Sequence, residues 1–343
     1  MAVLLGACGA PAAPEPTVAP EAEPAPTETA EPQFPTTVVH SGGETTLESA
    51  PDRVFTFGQD QTDAFIALGV VPIATEEAFG KPWRDDALAA LGVATPPEFY
   101  PRSPDEVADV AALSPDINVT SLIFSPYDYN ATGWIGFYDG LTDIAPTVRP
   151  SDAAIIFSAE ADSAARVDSS VAWREAVTQA GQIMGISDEA AAHLASIDDS
   201  LAAQAAAHPE FEGKTIGLMT GEAGWGYGFK ADTEAGVLME QLGFDYVDVS
   251  TMANQGDSYN SNFVTLSLED LSLVDVDVLV VPGEYNPNYE WHRALDLSPT
   301  ASDGVIIYLG GTVTLFNSMA YPSALSVPWG VDDFVAALAA EIS

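Results

Sequence analysis

Short apolar strands alternate with helices along the chain, at a spacing typical of parallel sheets. Arg53–Gly58 reads as a buried strand that ends in glycine, Thr62–Leu68 as a brief helix, and Gly69–Ala74 as a second strand. A strand, a helix and a strand within about 22 residues form a βαβ unit, whose two strands run parallel. The sequence therefore predicts an α/β fold.

A long amphipathic helix is predicted near the middle of the chain. It covers Ser187 to about Ala207, and its apolar positions, which include Ile197 and Leu201, step by three and four residues. Ser187 is expected to cap its start, and His208-Pro209 ends it. At 1.5 Å per residue such a helix spans about 30 Å, the width of a small domain.

The same plan of strands and helices occurs on both sides of this helix. The elements predicted before it include the helix that opens at Ser103-Pro104-Asp105-Glu106, the strand Asp116–Thr120 and the helix Trp173–Met184. Those predicted after it are the strands Lys214–Thr220, Tyr246–Val249, Val276–Val281 and Gly304–Tyr308, and the helices Glu234–Leu242, Leu266–Leu271 and Val331–Ile342. We therefore expect two α/β lobes of roughly 130–150 residues, joined by the long helix.

Cys8 is the only cysteine of the chain, so it can form no internal disulfide. Leu5-Gly6-Ala7-Cys8 resembles the lipobox of bacterial lipoproteins, in which the cysteine is lipidated and becomes the mature N-terminus. Only Met1 to Leu4 precede this motif, which is too short for a signal peptide's charged and apolar regions. We expect that the true start lies upstream and that Cys8 is a lipidation site.

The segment after Cys8 has the composition of an extended tether. Eight prolines and five glutamates lie between Gly9 and Pro35, with Val18 and Phe34 as the only sizeable apolar residues. Such a segment buries too little apolar surface to offset its ordering entropy. At about 3.1 Å per residue it reaches at most roughly 80 Å.

Composition excludes several classes of partner. Hydrophobic residues make up 47% of the 343, and no run of 18 apolar residues follows Cys8, so we expect a soluble body with real cores. The chain has 10 Lys+Arg against 51 Asp+Glu, a formal net charge of −41. That charge repels nucleic acid and anionic lipid. It also suits a saline habitat, where salt screens self-repulsion.

Several motifs, taken in order, resemble one family: the substrate-binding proteins of ABC importers for ferric siderophores, cobalamin and haem. The matching segments are Ala50-Pro51-Asp52-Arg53-Val54, Ala67–Pro72, Ser103–Glu106 followed by Leu113–Asp116, Leu242-Gly243-Phe244, and Leu266–Leu271 followed by Asp277-Val278-Leu279. The resemblance covers nearly everything after residue 45. It implies two Rossmann-like lobes with parallel-rich sheets, bridged by one long helix that allows only slight closure.

With this resemblance, the expected organisation is a truncated signal and lipobox at 1–8, a tether at 9–38, an N-terminal lobe at 39–186, a bridging helix at 187–208 and a C-terminal lobe at 209–343. The family's ligands lie between the lobes, at the carboxyl ends of the strands. Candidate ligand-binding residues are the aromatic, amide and basic side chains of strand-end loops. They are Gln59, Trp83, Tyr100, Arg102, Tyr127 and Tyr129 in the first lobe, and Trp225, Tyr227, Tyr259, Asn262, Tyr285 and Tyr321 in the second.

The small number of arginines narrows the range of ligand classes that the protein is expected to bind. Trianionic catecholate chelates need several arginines, but the chain has seven, of which only Arg84 and Arg102 are judged well placed. A neutral or cationic ferric hydroxamate of the ferrioxamine type fits better. Cobalamin and haem stay open as alternatives.

The resemblance also implies partners. Glu106 and Glu269 open corresponding helices in the two lobes, where the family docks its permease subunits, although such positions favour acids in any helix. We expect a monomer, lipid-anchored at the outer face of the cytoplasmic membrane, that serves an ABC permease dimer with a cytoplasmic ATPase.

Two other classes of function fit less well. Direct metal capture needs clustered ligands, but the four histidines (40, 193, 208 and 292) are scattered. Enzymatic motifs such as Gly-x-Ser-x-Gly, His-Glu-x-x-His and a phosphate-binding loop are absent, and Gly224–Gly228 is too aromatic for the last. The sequence predicts no enzyme, no resident metal and no cofactor.

Overall fold

Two parallel-rich sheets organise the chain. The structure is a computed structural model that describes residues 33–76, 81–99, 107–120, 140–151, 172–222, 224–252, 263–310 and 313–342. Pro32–Ser343 forms one compact unit. Within the described ranges, no helix combines the length and apolar character needed to cross a bilayer.

The first half is built on a parallel sheet of order β3-β6-β7. A second parallel pair, β4-β5, extends it through a bridge between Phe55 and Ala74, and β1-β2 form an antiparallel hairpin. The strands are β1 (Thr36–His40), β2 (Gly43–Leu47), β3 (Val54–Phe57), β4 (Thr75–Glu76), β5 (Glu98–Phe99), β6 (Ile117–Thr120) and β7 (Thr147–Val148). The helices are α1 (Gln59–Ala67), α2 (Pro82–Leu91), α3 (Val107–Ala112) and α4 (Ala172–Met184).

The long central helix, α5, covers Ser187–Ala207 as predicted, and His208 follows its last residue. Its start differs from the expectation: Ile186 is the N-cap residue, no side chain caps the helix, and Ser187 is already helical. The turn from α4 requires Gly185, whose φ of 69° places it in the left-handed region that favours glycine. That turn sets the start of α5.

The second half has a mixed sheet of order β11-β9-β8-β12-β13, with β10 also paired to β8. Strands β8, β10, β12 and β13 run parallel to one another, whereas β9 runs antiparallel to both of its neighbours, β8 and β11. The strands are β8 (Thr215–Glu222), β9 (Trp225–Phe229), β10 (Asp245–Tyr246), β11 (Phe263–Leu266), β12 (Val278–Pro282) and β13 (Val305–Leu309). The helices are α6 (Glu234–Gln241), α7 (Leu268–Leu271), α8 (Glu290–Leu295), α9 (Pro299–Asp303), α10 (Val313–Ala320) and α11 (Ser326–Glu341), with 3₁₀ turns at Pro209–Phe211 and Val249–Met252.

Two predicted strands are shorter than expected. In 69–74 only Ala74 makes a strand bridge, and β4 begins after it, because Gly69 turns the chain and Pro72 has no N–H to donate. After Tyr246 the chain leaves the sheet and forms a 3₁₀ turn. Val249 in that turn packs so closely on Gly228 that an added Cβ there would lie 2.3 Å from its Cγ2.

In each half, an aspartate just before one strand accepts hydrogen bonds that hold the start of the neighbouring strand. Asp116, before β6, accepts hydrogen bonds from the backbone N–H groups of Asp52 and Arg53 at 3.0 and 2.9 Å. Asp277, before β12, accepts from the N–H and hydroxyl of Thr215, both at 2.8 Å. The backbone hydrogen bond lowers the pKa of Asp277. The two halves therefore share this local device as well as their order of elements.

A single hydrophobic cluster includes residues of both halves and of α5. It contains Phe65 and Trp173 before the long helix, Ile197 within it, and Ile216 and Phe334 after it. Helix α5 packs against α4 and α11. The parallel-rich sheets confirm the predicted fold class, α/β.

Candidate ligand-binding site

A cavity of about 500 Å³ lies beside the carboxyl ends of β8 and β12. In open α/β sheets, ligands bind at this end of the strands. We call it the strand-end cavity. It is lined by Thr220, Gly221, Pro282, Gly283, Glu284, Tyr285, Asn286, Tyr289, Trp291, His292 and Val313.

His292 is the centre of an aromatic cluster in the wall of this cavity. Its ring is 1% exposed and lies 3.9 Å from the Trp291 ring and 5.6 Å, nearly stacked, from that of Tyr285. Its Nδ1 accepts a hydrogen bond from the backbone N–H of Asn286 at 2.8 Å. Because burial lowers the pKa of His292, against a smaller opposing effect of Asp296, this side chain is a neutral part of the wall.

Tyr285 is held in place from its other end. Its hydroxyl donates to Asp296 Oδ2 at 2.6 Å, and this hydrogen bond raises the pKa of Tyr285. Its ring also meets Tyr308 edge to face, with 5.5 Å between centroids. The ring therefore has a fixed position although 43% of the residue is exposed. A fixed aromatic surface binds a flat ligand with little loss of rotamer entropy.

Strand β9 presents two further predicted residues. Trp225 is opposite Glu222 in the β8-β9 pair and is half exposed. The Tyr227 hydroxyl donates to Glu222 Oε1 at 2.9 Å. Neither lines the strand-end cavity, whose boundary on this side is Thr220 and Gly221.

Gln59 and Tyr321, predicted in different halves, meet in the structure. Gln59 Nε2 donates to the backbone carbonyl of Tyr321 at 2.9 Å. The Tyr321 ring is 40% exposed and rests edge to face on Phe229 and Phe263, with centroids 5.6 and 6.2 Å apart. These two predicted residues thus lie where the halves adjoin.

Trp83 and Arg84 are interior residues, which corrects their expected place on the cleft surface. Both are almost fully buried, and both donate to Asp63: Trp83 Nε1 at 2.9 Å and Arg84 Nε at 2.8 Å. Ser323, from the second half, donates to the same carboxylate at 2.6 Å. These contacts connect the two halves. Arg84 therefore offers no exposed charge to a ligand.

The remaining predicted residues lie outside the described part of the chain. They are Cys8, Tyr100, Arg102, Glu106, Tyr127, Tyr129, Tyr259 and Asn262. Their roles stay predictions.

Sequence reasoning named only Tyr285 in the loop after β12 and missed its neighbours in the cavity wall. Glu284, Asn286, Tyr289 and Trp291 line the cavity with it. The signal was present, because a run rich in aromatic and amide side chains follows directly on a buried apolar strand. Among the described residues, no group of three His, Cys, Asp or Glu side chains is placed to hold a metal ion.

No family model matches the chain. It is 24% identical over 253 residues to the probable siderophore-binding lipoprotein YfiY of Bacillus subtilis, covering 71% of this chain and 67% of that protein. A periplasmic solute-binding protein of Mycobacterium smegmatis matches with a TM-score of 0.67 and 25% identity over 90% of this chain and 99% of that one.

A third match is PiaA of Streptococcus pneumoniae, solved in complex with ferrichrome. It has a TM-score of 0.64 and 17% identity, over 90% of this chain and 98% of that one. At this identity the match concerns the fold alone. The chain therefore has the fold of periplasmic solute-binding proteins, and the resemblance to siderophore-binding proteins of ABC importers, first indicated by its sequence motifs, is confirmed.

Proposed function

We propose that this chain is an extracytoplasmic solute-binding protein that captures a ferric siderophore and delivers it to an ABC permease. The observation that carries the proposal is the strand-end cavity, because its aromatic wall lies where ligands bind in open α/β sheets. The named functions of YfiY and PiaA, siderophore binding and a ferrichrome complex, support it.

The cavity favours a hydroxamate over a catecholate chelate. None of the described residues that line it is a lysine or an arginine, and the Arg84 guanidinium is buried against Asp63. A trianionic catecholate would enter this wall without a compensating charge, against the repulsion of a −41 protein. A neutral or cationic ferric hydroxamate meets no such penalty.

Fluorescence titration with a panel of ligands tests this function. We expect a ferric hydroxamate to quench tryptophan emission saturably at 1:1 stoichiometry without turnover, because Trp291 lines the cavity and Trp225 is exposed nearby. Tyr289→Ala should weaken binding about two- to tenfold, in keeping with the roughly 0.5–1.5 kcal/mol typical of an aromatic contact. Leu297→Ala, exposed in the same half and outside the cavity lining, is the control. Tighter binding of a catecholate, haem or cobalamin would contradict the hydroxamate assignment, and a panel without any binder would contradict the function.

Delivery requires contact with the permease, for which we propose Glu106 and Glu269. Glu269 is exposed in the first turn of α7. The helix around it is fixed by a capping box, in which Ser267 Oγ accepts from the Asp270 N–H at 3.1 Å and the Asp270 carboxylate accepts from the Ser267 N–H at 3.2 Å. A rigidly held exposed carboxylate suits a basic pocket on a partner. We also propose that lipid on Cys8 and the tether at 9–38 keep the protein at the outer face of the cytoplasmic membrane.

Uptake by cells that depend on this protein tests the docking proposal, and membrane fractionation tests the lipid anchor. The double variant Glu106→Lys and Glu269→Lys should lower uptake at least tenfold, while siderophore binding by the purified protein is retained. Cys8→Ser should move the protein from the membrane to the soluble fraction. Glu48→Lys with Glu240→Lys reverses two other exposed charges, one in each half, and should leave uptake intact. Normal uptake by the Glu106 and Glu269 variant, or membrane retention of Cys8→Ser, would refute the corresponding proposal.

A further inference from the structure

The strand-end cavity has an acidic wall. Among the described residues that line it, Glu284 is the only one with a formal charge at neutral pH, because burial keeps His292 uncharged. Glu284 is exposed and forms no ion pair with a described basic side chain. Within the described part of the chain, no basic group therefore competes with a ligand for this carboxylate.

The basic side chain closest in sequence to this wall is already engaged. Arg293 Nη1 donates to the backbone carbonyl of Pro287 at 2.6 Å, and Nη2 lies 3.8 Å from Glu290 Oε1. Arg293 does not line the cavity. The negative charge of Glu284 is thus not balanced by the loop that carries it.

Two tyrosines follow Glu284 in the chain and line the same cavity. Tyr285 and Tyr289 both line the cavity, with 43% and 49% of each residue exposed. The faces of aromatic rings attract ammonium groups, and they do so more strongly where water is excluded. A carboxylate combined with exposed aromatic rings is the chemistry that recognises a protonated amine.

We propose that the strand-end cavity binds a protonated primary amine carried by the siderophore, through Glu284 and the rings of Tyr285 and Tyr289. The ligand class is then a cationic ferric hydroxamate with a free amine, rather than hydroxamates in general. This inference rests on the proposed function. The net charge of −41 acts in the same direction, because it draws cationic ligands toward the protein.

A matched pair of ligands tests the inference. A linear ferric trihydroxamate with a terminal primary amine is compared with its N-acetylated form, which has the same chelate and one positive charge fewer. Wild-type protein should bind the amine form about tenfold more tightly, equivalent to about 1.4 kcal/mol. This ratio should fall as salt is raised from 0.05 to about 1 M, because an accessible charge pair is screened.

Glu284→Gln should reduce the ratio between the two forms to near one. Glu240→Gln removes one exposed charge from α6, away from the cavity lining, and should keep the wild-type ratio. Equal affinity of wild-type protein for both forms, or a ratio that survives in Glu284→Gln, would overturn the amine site and leave the siderophore binder intact. Failure of both forms to bind would instead overturn the proposed function.

Discussion

Replacing Asp63 with asparagine should lower the free energy of unfolding by about 3 to 5 kcal/mol, the usual effect of removing one partner of a buried ion pair. Asp63 is fully buried and accepts hydrogen bonds from Trp83, Arg84 and Ser323. Asparagine would leave the Arg84 guanidinium buried without a counter-charge, and its two terminal nitrogens have no hydrogen-bond partner among the described residues. The loss is measurable by urea unfolding followed by circular dichroism.

Two controls separate the buried charge from other effects of the substitution. Asp85→Asn, on the exposed side of α2 next to Arg84, should lower the free energy of unfolding by no more than about 1 kcal/mol, the usual contribution of an acid in the first turn of a helix. The double variant Asp63→Asn and Arg84→Met should recover part of the loss, because a buried pair replaced as a whole costs less than a broken one. Stability of the single variant within about 1 kcal/mol of wild type would show that the pair is not desolvated as the structure indicates.

Glu234→Gln should stabilise the protein at pH 8 and have little effect near pH 4.5. Desolvation, followed by the charge of Asp60, raises the pKa of Glu234 well above its ordinary value. The folded state therefore holds this proton more tightly than the unfolded state, so wild-type stability falls as pH rises from the unfolded pKa toward the folded one. Each unit of pKa difference corresponds to about 1.4 kcal/mol. Glutamine removes this loss and can still accept the 2.8 Å hydrogen bond from the Trp173 N–H.

The effects that oppose the expected stabilisation by Glu234→Gln are smaller. The backbone hydrogen bond from Trp173 and, after it, the charge of Arg174 lower the pKa of Glu234, but the Arg174 guanidinium is paired with Asp198 at 2.7 Å. A carboxylate at the start of α6 gains about 0.3–1 kcal/mol from the helix dipole, which glutamine gives up. Urea unfolding at pH 4.5, 6 and 8 in constant salt measures the difference, with Glu240→Gln at the exposed end of α6 as control. Parallel pH profiles for wild type and Glu234→Gln would contradict the expectation.

Both predictions concern the contact between the two halves, and helix α1 provides much of it. Gln59 meets the Tyr321 carbonyl, Asp60 interacts with Glu234, and Asp63 meets Ser323. All three α1 residues follow β3 directly, at the carboxyl end of its sheet. The relative position of the two halves at this end is thus set by polar contacts within a largely apolar core.

Much of the fold could be read from the sequence because local chemistry decided it. The helices Trp173–Met184 and Ser187–Ala207 were predicted within one residue, since their apolar periodicity, Gly185 and Pro209 all act within a few residues. Asp116 and Asp277, part of the family motifs, have a structural reason in the backbone hydrogen bonds they accept. The strand after Tyr246 was predicted too long because Val249 packs against Gly217 and Gly228, which are distant in sequence.

The candidate site was predicted less completely, for the same physical reason. An aromatic loop after a buried strand signals a binding wall, so Tyr285 was found. Whether a side chain faces the cavity, the core or the other half depends on packing between distant segments. Trp83 and Arg84 had the right chemistry and position for a ligand contact, but Asp63 and Ser323 hold them inside the protein.

By itself, the sequence determined the alternation of strands and helices, the central helix, the excess of negative charge and the family resemblance. Periodicity, turn residues and composition are local properties, so the chain carries them before it folds. Tertiary structure alone decided the neutral state of His292, the burial of Arg84 and the position of Glu284 in an aromatic cavity. Desolvation and charge pairing depend on which groups surround a side chain, and only the folded chain brings those groups together.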